Sequence, residues 1–212
     1  MKKIIALLLV LVMATAAGGA WADKLELQAG TPTQCDSSTF QMLFTFMEQQ
    51  SGYDYTWDKE TETEGEYTVY TARPAKGSMI LKLYTLNDRA VYVVCEGSVS
   101  ASFANKETVR EFGSWFGSAL GGICLAFYMA DHPDAPLDEE LLNRFQNDGE
   151  KLLSSLTALN DGKKVAEGVA FTALVLGYPT GMEGSGTASG QSAILNMKLV
   201  VTSEDGVLTV RK

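Results

Sequence analysis

Phe40, Leu43, Phe44 and Met47 recur at the three- and four-residue spacing of one helical face. Asp36, Ser37 and Ser38 offer caps ahead of that run, and Ser38 with Gln41 has capping-box spacing. The helix is expected to stop near Ser51-Gly52. The period then drops to two: Tyr53, Tyr55 and Trp57 alternate with Asp54, Thr56 and Asp58, a strand with one aromatic and one polar face. After a charged loop at 59–66, runs rich in Val, Ile, Tyr and Thr follow at 67–73, 79–86 and 90–100. Their connections, Pro74-Ala75-Lys76-Gly77 and Asn87-Asp88, have turn chemistry, so a meander of antiparallel strands is expected.

From Lys106 to Ala130 the period is helical again, and Pro133 and Pro136 interrupt it. A further helix is expected from Pro136-Leu137, with Asp138, Glu139 and Glu140 at the positive end of its dipole. Leu137, Leu141, Phe145, Leu152, Leu156 and Leu159 form its stripe, and Asn160-Asp161-Gly162 stops it. Residues 165–176 return to strand composition, and 177–190 read as a Gly/Ser/Thr-rich loop. Runs at 193–202 and 207–210 flank Ser203-Glu204-Asp205-Gly206 as a hairpin. This order predicts an α+β fold: a mostly antiparallel sheet of about five to seven strands against three helices, α-β(3–4)-α-α-β(2–3). Residues 23–212 are expected to form a single domain, with a sub-boundary near residue 104. The early helix-meander-helix order is loosely similar to that of small secretion chaperones, with which no motif is shared.

The start of the chain changes the compartment. Lys2 and Lys3, the apolar run from Ile4 to Met13, and Ala20-Trp21-Ala22 match a secretory signal cleaved after Ala22. The apolar run is about half of what a spanning helix needs. Export from a bacterial cytoplasm, to the periplasm or beyond, is therefore expected. The formal net charge is −9, and losing Lys2 and Lys3 makes the remainder more acidic, so a nucleic-acid partner is excluded as an expectation.

The three cysteines, Cys35, Cys95 and Cys124, are too far apart for a Cys-x-x-Cys redox or zinc pattern. Cys95 and Cys124 lie in apolar strings, as small buried residues do. Cys35 precedes a helix that must pack near the strands, which leaves a Cys35–Cys95 disulfide open.

Residues 112–130 carry no formal charge, and Gly113, Gly117 and Gly121 have the small-xxx-small spacing of membrane helices. The flank that export would leave in the cytoplasm, Asp131 to Glu140, is acidic, the reverse of the positive-inside pattern. A closely packed core helix is therefore expected, with a membrane-tethered accessory protein held by residues 112–130 as an alternative.

His132-Pro133-Asp134 is similar to the tripeptide between two helices of J-domain co-chaperones. The helix preceding it, basic in that family, is uncharged here, and a proline stop followed by an Asp134 cap accounts for the same residues. His132 is the only histidine, so a serine or cysteine nucleophile has one available base. No Gly-x-Ser-x-Gly elbow exists, and Cys124 lies about two helical turns from His132, roughly 12 Å away. Carboxylates at Asp54, Asp58, Glu60, Glu62 and Glu64 beside Tyr53, Tyr55 and Trp57 are how sugar-cleaving sites are furnished, so a carboxylate-dependent glycan hydrolase is the enzymatic alternative. Asp131, Asp134, Asp138, Glu139 and Glu140 lack EF-hand spacing, and Gly181 to Gly186 lack the Lys-Ser/Thr of a phosphate loop, so no metal or cofactor is expected. The leading expectation is a non-enzymatic binding domain for a protein, peptide or small ligand. Its candidate contacts are Tyr53, Tyr55, Trp57, Asp58, His132 and Asp134.

Overall fold

The computed structural model describes residues 24–102, 106–157, 168–189 and 192–211. The signal segment, the sub-boundary near 104 and the Asn160-Asp161-Gly162 stop lie outside them. The described elements are β1 (Lys24–Gln28), α1 (Ser37–Gln50), β2 (Tyr55–Trp57), β3 (Glu62–Glu64), β4 (Tyr67–Pro74), β5 (Met79–Leu86), β6 (Arg89–Ser102), α2 (Lys106–Asp131), α3 (Glu139–Thr157), β7 (Val169–Val175), β8 (Tyr178–Ser189), β9 (Ser192–Thr202) and β10 (Val207–Arg211). β2 and β3 share the outer edge of β4, and the sheet continues β4-β5-β6-β9-β8-β7 with every pairing antiparallel. The α+β class with three helices on an antiparallel sheet is as the pattern predicts. The sheet has eight strands, and β1 pairs with β10 in a separate ribbon.

Alternation assigns the sheet two faces. One sends Leu81, Leu83, Val93, Cys95, Leu199 and Val201 toward the helices, where they meet Phe40 and Phe44 of α1 and Trp115, Phe116, Ile123 and Phe127 of α2. The uncharged helix is thus the buried centre of the fold. The other face carries Val69, Tyr84, Val94 and Val200, with Leu25, Leu27 and Leu208 of the ribbon packed on the same cluster. There Tyr84 and Tyr92 stack at 4.2 Å and Tyr67 meets both edge-on.

Local chemistry sets several boundaries. Asp36 caps α1 by accepting from Thr39 N–H at 2.7 Å. Ser38 lies inside the first turn and donates to Asp36 at 2.8 Å, so the cap is Asp36 and not a Ser38/Gln41 box. Asn87 and Asp88 both have positive φ, as a tight β5–β6 turn requires. α3 begins at Glu139, after Pro136 and Leu137, because Asp138 accepts from Leu141 N–H at 2.9 Å.

Two regions depart from the sequence pattern. Residues 178–189, read as loop, form the interior strand β8 between β7 and β9. A Cβ on Gly181 would come within 2.9 Å of both Leu25 methyls, so the glycine that weakens a strand by propensity here admits the ribbon. The Ser203–Gly206 turn forms, with Gly206 N–H donating to Ser203 C=O at 2.9 Å, yet β10 does not fold back on β9. Both edges of β9 are already bonded, to β6 and β8, and the strand leaves to pair with β1. Strands at 24–28 and 62–64 were likewise hidden in polar sequence. Cys35, Cys95 and Cys124 are buried free thiols, and no bridge joins Cys35 to Cys95.

Candidate functional site

Three segments converge at the C-terminal end of α2: the 31–34 stretch before α1, Asp131-His132, and the 203–205 turn. They line an open groove of about 370 Å³. Asp131 ties it together, accepting from Gln34 N–H at 2.7 Å and from the Tyr178 hydroxyl at 2.7 Å. Asp205 accepts from Thr31 Oγ1 at 2.8 Å and Thr31 N–H at 2.9 Å, and these bonds hold its carboxyl below the usual carboxylate range. Arg89 reaches across to donate to Gln34 C=O.

His132 is exposed and oriented by its own helix. Its Nδ1 lies 3.1 Å from Tyr128 C=O, and its ring stacks on the Tyr128 ring at 4.4 Å, with the Arg144 guanidinium 5.8 Å from the same ring. A carbonyl only accepts, so Nδ1 carries the proton and Nε2 is the acceptor of the neutral ring. With three carboxylates, Asp131, Glu204 and Asp205, and the negative end of α2, the groove is rich in acceptors. Its hydroxyl at Ser203 donates to Asp205 at 3.2 Å and not to His132. The arrangement suits a ligand that brings donors or positive charge; it does not assemble a nucleophile and base.

Of the sequence candidates, the structure brings only His132 into this groove. Asp134 is exposed in the α2–α3 turn. Tyr53, Tyr55 and Trp57 turn their aromatic face to the core. Tyr55 meets Phe44 at 5.0 Å, and Trp57 Nε1 donates to Thr45 Oγ1 of α1 at 3.0 Å. Asp58 is exposed and paired with Arg73 at 3.4 Å. Glu64 accepts from Lys82 at 2.9 Å and from the Tyr84 hydroxyl at 3.0 Å, which lowers its carboxyl. Among the described residues no three His, Cys, Asp or Glu side chains gather to hold a metal.

Sequence reasoning missed Glu48. It continues the Phe40–Phe44 stripe by another four residues, so an acidic residue at an inward position was the available signal. It is 1% exposed, and Oε1 accepts from Ser118 Oγ of α2 at 2.8 Å. Glu48 Oε2, Tyr55 OH and Trp115 Nε1 are buried with no protein partner. Burial pushes the Glu48 carboxyl up to about 7, against the opposing pull of the Ser118 bond. The link between Thr31 and Asp205 was also missed, since nothing local joins residues so distant in sequence.

The chain matches no protein-family model, no curated protein and no solved structure. Its function must therefore be argued from its own side chains.

Proposed function

We propose that this chain is an exported bacterial binding domain without catalytic activity, and that it takes cationic or donor-rich ligands, such as a basic peptide segment, in the groove at the end of α2. The observation carrying this reading is the convergence of Asp131, Glu204 and Asp205 with an oriented His132 in one open concavity. The acidic net charge would draw such ligands toward the protein. The secretory pattern at residues 1–22 supports a location outside the cytoplasm.

Titration of the isotope-labelled protein with Lys/Arg-rich and Asp/Glu-rich peptides tests the binding claim. Amide shifts at Thr31, Thr33, Gln34, 131–132 and 203–205 with the basic set alone are expected, and Glu204→Lys should remove them. Equal response to both sets, or shifts elsewhere, defeats the groove. Cell fractionation with N-terminal sequencing tests export; mature protein beginning at Asp23 outside the cytoplasm is the expected result, and an intact Met1 in the cytoplasm refutes it.

A further inference from the structure

Glu48 lies where α1, α2 and the aromatic edge of the sheet meet. Four groups act on it: Ser118 from α2, Tyr55 from β2, Tyr53 from the connection after α1, and Cys95 from β6, and Trp115 of α2 packs on the Tyr55 ring at 5.8 Å. None is cationic. Burial raises Tyr53, Tyr55 and Cys95, so all three are neutral through pH 8. Glu111 of α2 is exposed and acts on Tyr53. A carboxylate at this point is a buried charge with one hydroxyl donor and, among the described residues, no counter-ion, an expensive state unless water reaches it. On the α2 side the packing is close: a Cβ on Gly122 would come within 3.0 Å of the Phe44 ring and 3.1 Å of Glu48 Oε1.

The two ends of α1 are held differently. Its start is stapled to the β5–β6 turn by Ala90 N–H to Cys35 C=O at 2.8 Å, Ser37 N–H to Asp88 C=O at 3.1 Å, and the Asp36–Arg89 bridge. Its second half is joined to other elements by side-chain bonds, Ser118 to Glu48 and Trp57 to Thr45, and the chain turns away just after it at Gly52 with φ +84°. Its outer face carries exposed Met42 and Phe46.

We propose that Glu48 is a proton-operated latch: protonated, it closes α1 on α2 and β2, and on releasing its proton to solvent it frees the C-terminal half of α1, which swings from the stapled start and uncovers Phe44, Tyr55, Trp115 and the Ala119–Gly122 face of α2. Opening hydrates the Glu48 carboxylate, the Tyr55 hydroxyl and Trp115 Nε1. The latch does not depend on what the groove binds.

Hydrogen exchange of the α1 amides in the full chain between pH 5 and 8, corrected for intrinsic exchange, reads the latch. With the carboxyl raised from 4.5 to about 7, protection of residues 43–50 should fall roughly seventy-fold across that range in the wild type. E48Q keeps the acceptor for Ser118 but has no proton to lose, and its protection should stay flat. S118A removes the donor that favours the charged form, so the transition should move to higher pH. A wild-type profile flat from pH 5 to 8, an equal fall in E48Q, or loss spread evenly over β4–β6 overturns the proposal. Carboxyl NMR of wild-type Glu48 gives an independent reading should E48Q not fold: a midpoint near 7 supports the latch, and an ordinary one near 4.5 refutes it.

Discussion

Glu48 packs against the middle of α2 and Asp131 is its last residue, and their surroundings treat them oppositely. Asp131 has a donor for each oxygen, Gln34 N–H and the Tyr178 hydroxyl, and opens on a groove. Glu48 has a single hydroxyl and an oxygen with no protein partner. The difference teaches that the supply of donors, more than residue type, decides whether both oxygens of a carboxyl tie segments together or one is left buried without a partner. At the rim a carboxylate organises a surface; in the core it makes packing conditional on pH.

The largest test of this contrast is the pH dependence of global stability. Because burial raises the Glu48 carboxyl from 4.5 to about 7, its contribution is whole below about pH 4.5 and lost as pH rises through 7, roughly 3 kcal/mol in total. Urea unfolding of wild type minus E48Q should trace that loss, and parallel curves would erase the distinction between the two carboxylates. Next, Asp131→Ala should cost about 2 kcal/mol in thermal unfolding, since it strands the hydroxyl of fully buried Tyr178. An unchanged melting temperature would show that the rim does not depend on this carboxylate.

Glycines of α2 sharpen the comparison further. Gly122→Ala should cost about 1–2 kcal/mol, because Phe44 and Glu48 leave no room for the methyl. Gly117→Ala should gain about 0.5–1 kcal/mol, because nothing lies within 4 Å of its Cβ. Equal effects at both sites would mean that α1 does not pack on α2 as described. The smallest effect is expected for His132→Ala: stability within about 0.5 kcal/mol of wild type, with loss confined to groove binding.

The helices were legible because their apolar residues keep a 3.6-residue period, and the buried role of residues 112–130 was legible from the acidic flank. The turns at Asn87-Asp88 and Ser203–Gly206 were also readable, since their residues carry local backbone preferences. The pairing after the second turn was not, because whether β9 has a free edge depends on strands far away in sequence. β8 was hidden for a related reason: its glycines and hydroxyls resemble a loop until the ribbon that needs their small size is in place. At the candidate site, His132 stood out by type, whereas Thr31, Glu204 and Asp205 gained meaning only through proximity.

Sequence by itself determined the α+β class and the three helices, since periodicity and caps act over a few residues. Tertiary structure decided which strands are interior, where β10 pairs, which aromatic residues face the core, and that Glu48 is buried beside Ser118. The physical reason is that burial and hydrogen-bond supply belong to the space around a residue, and that space is filled by segments the local sequence does not specify.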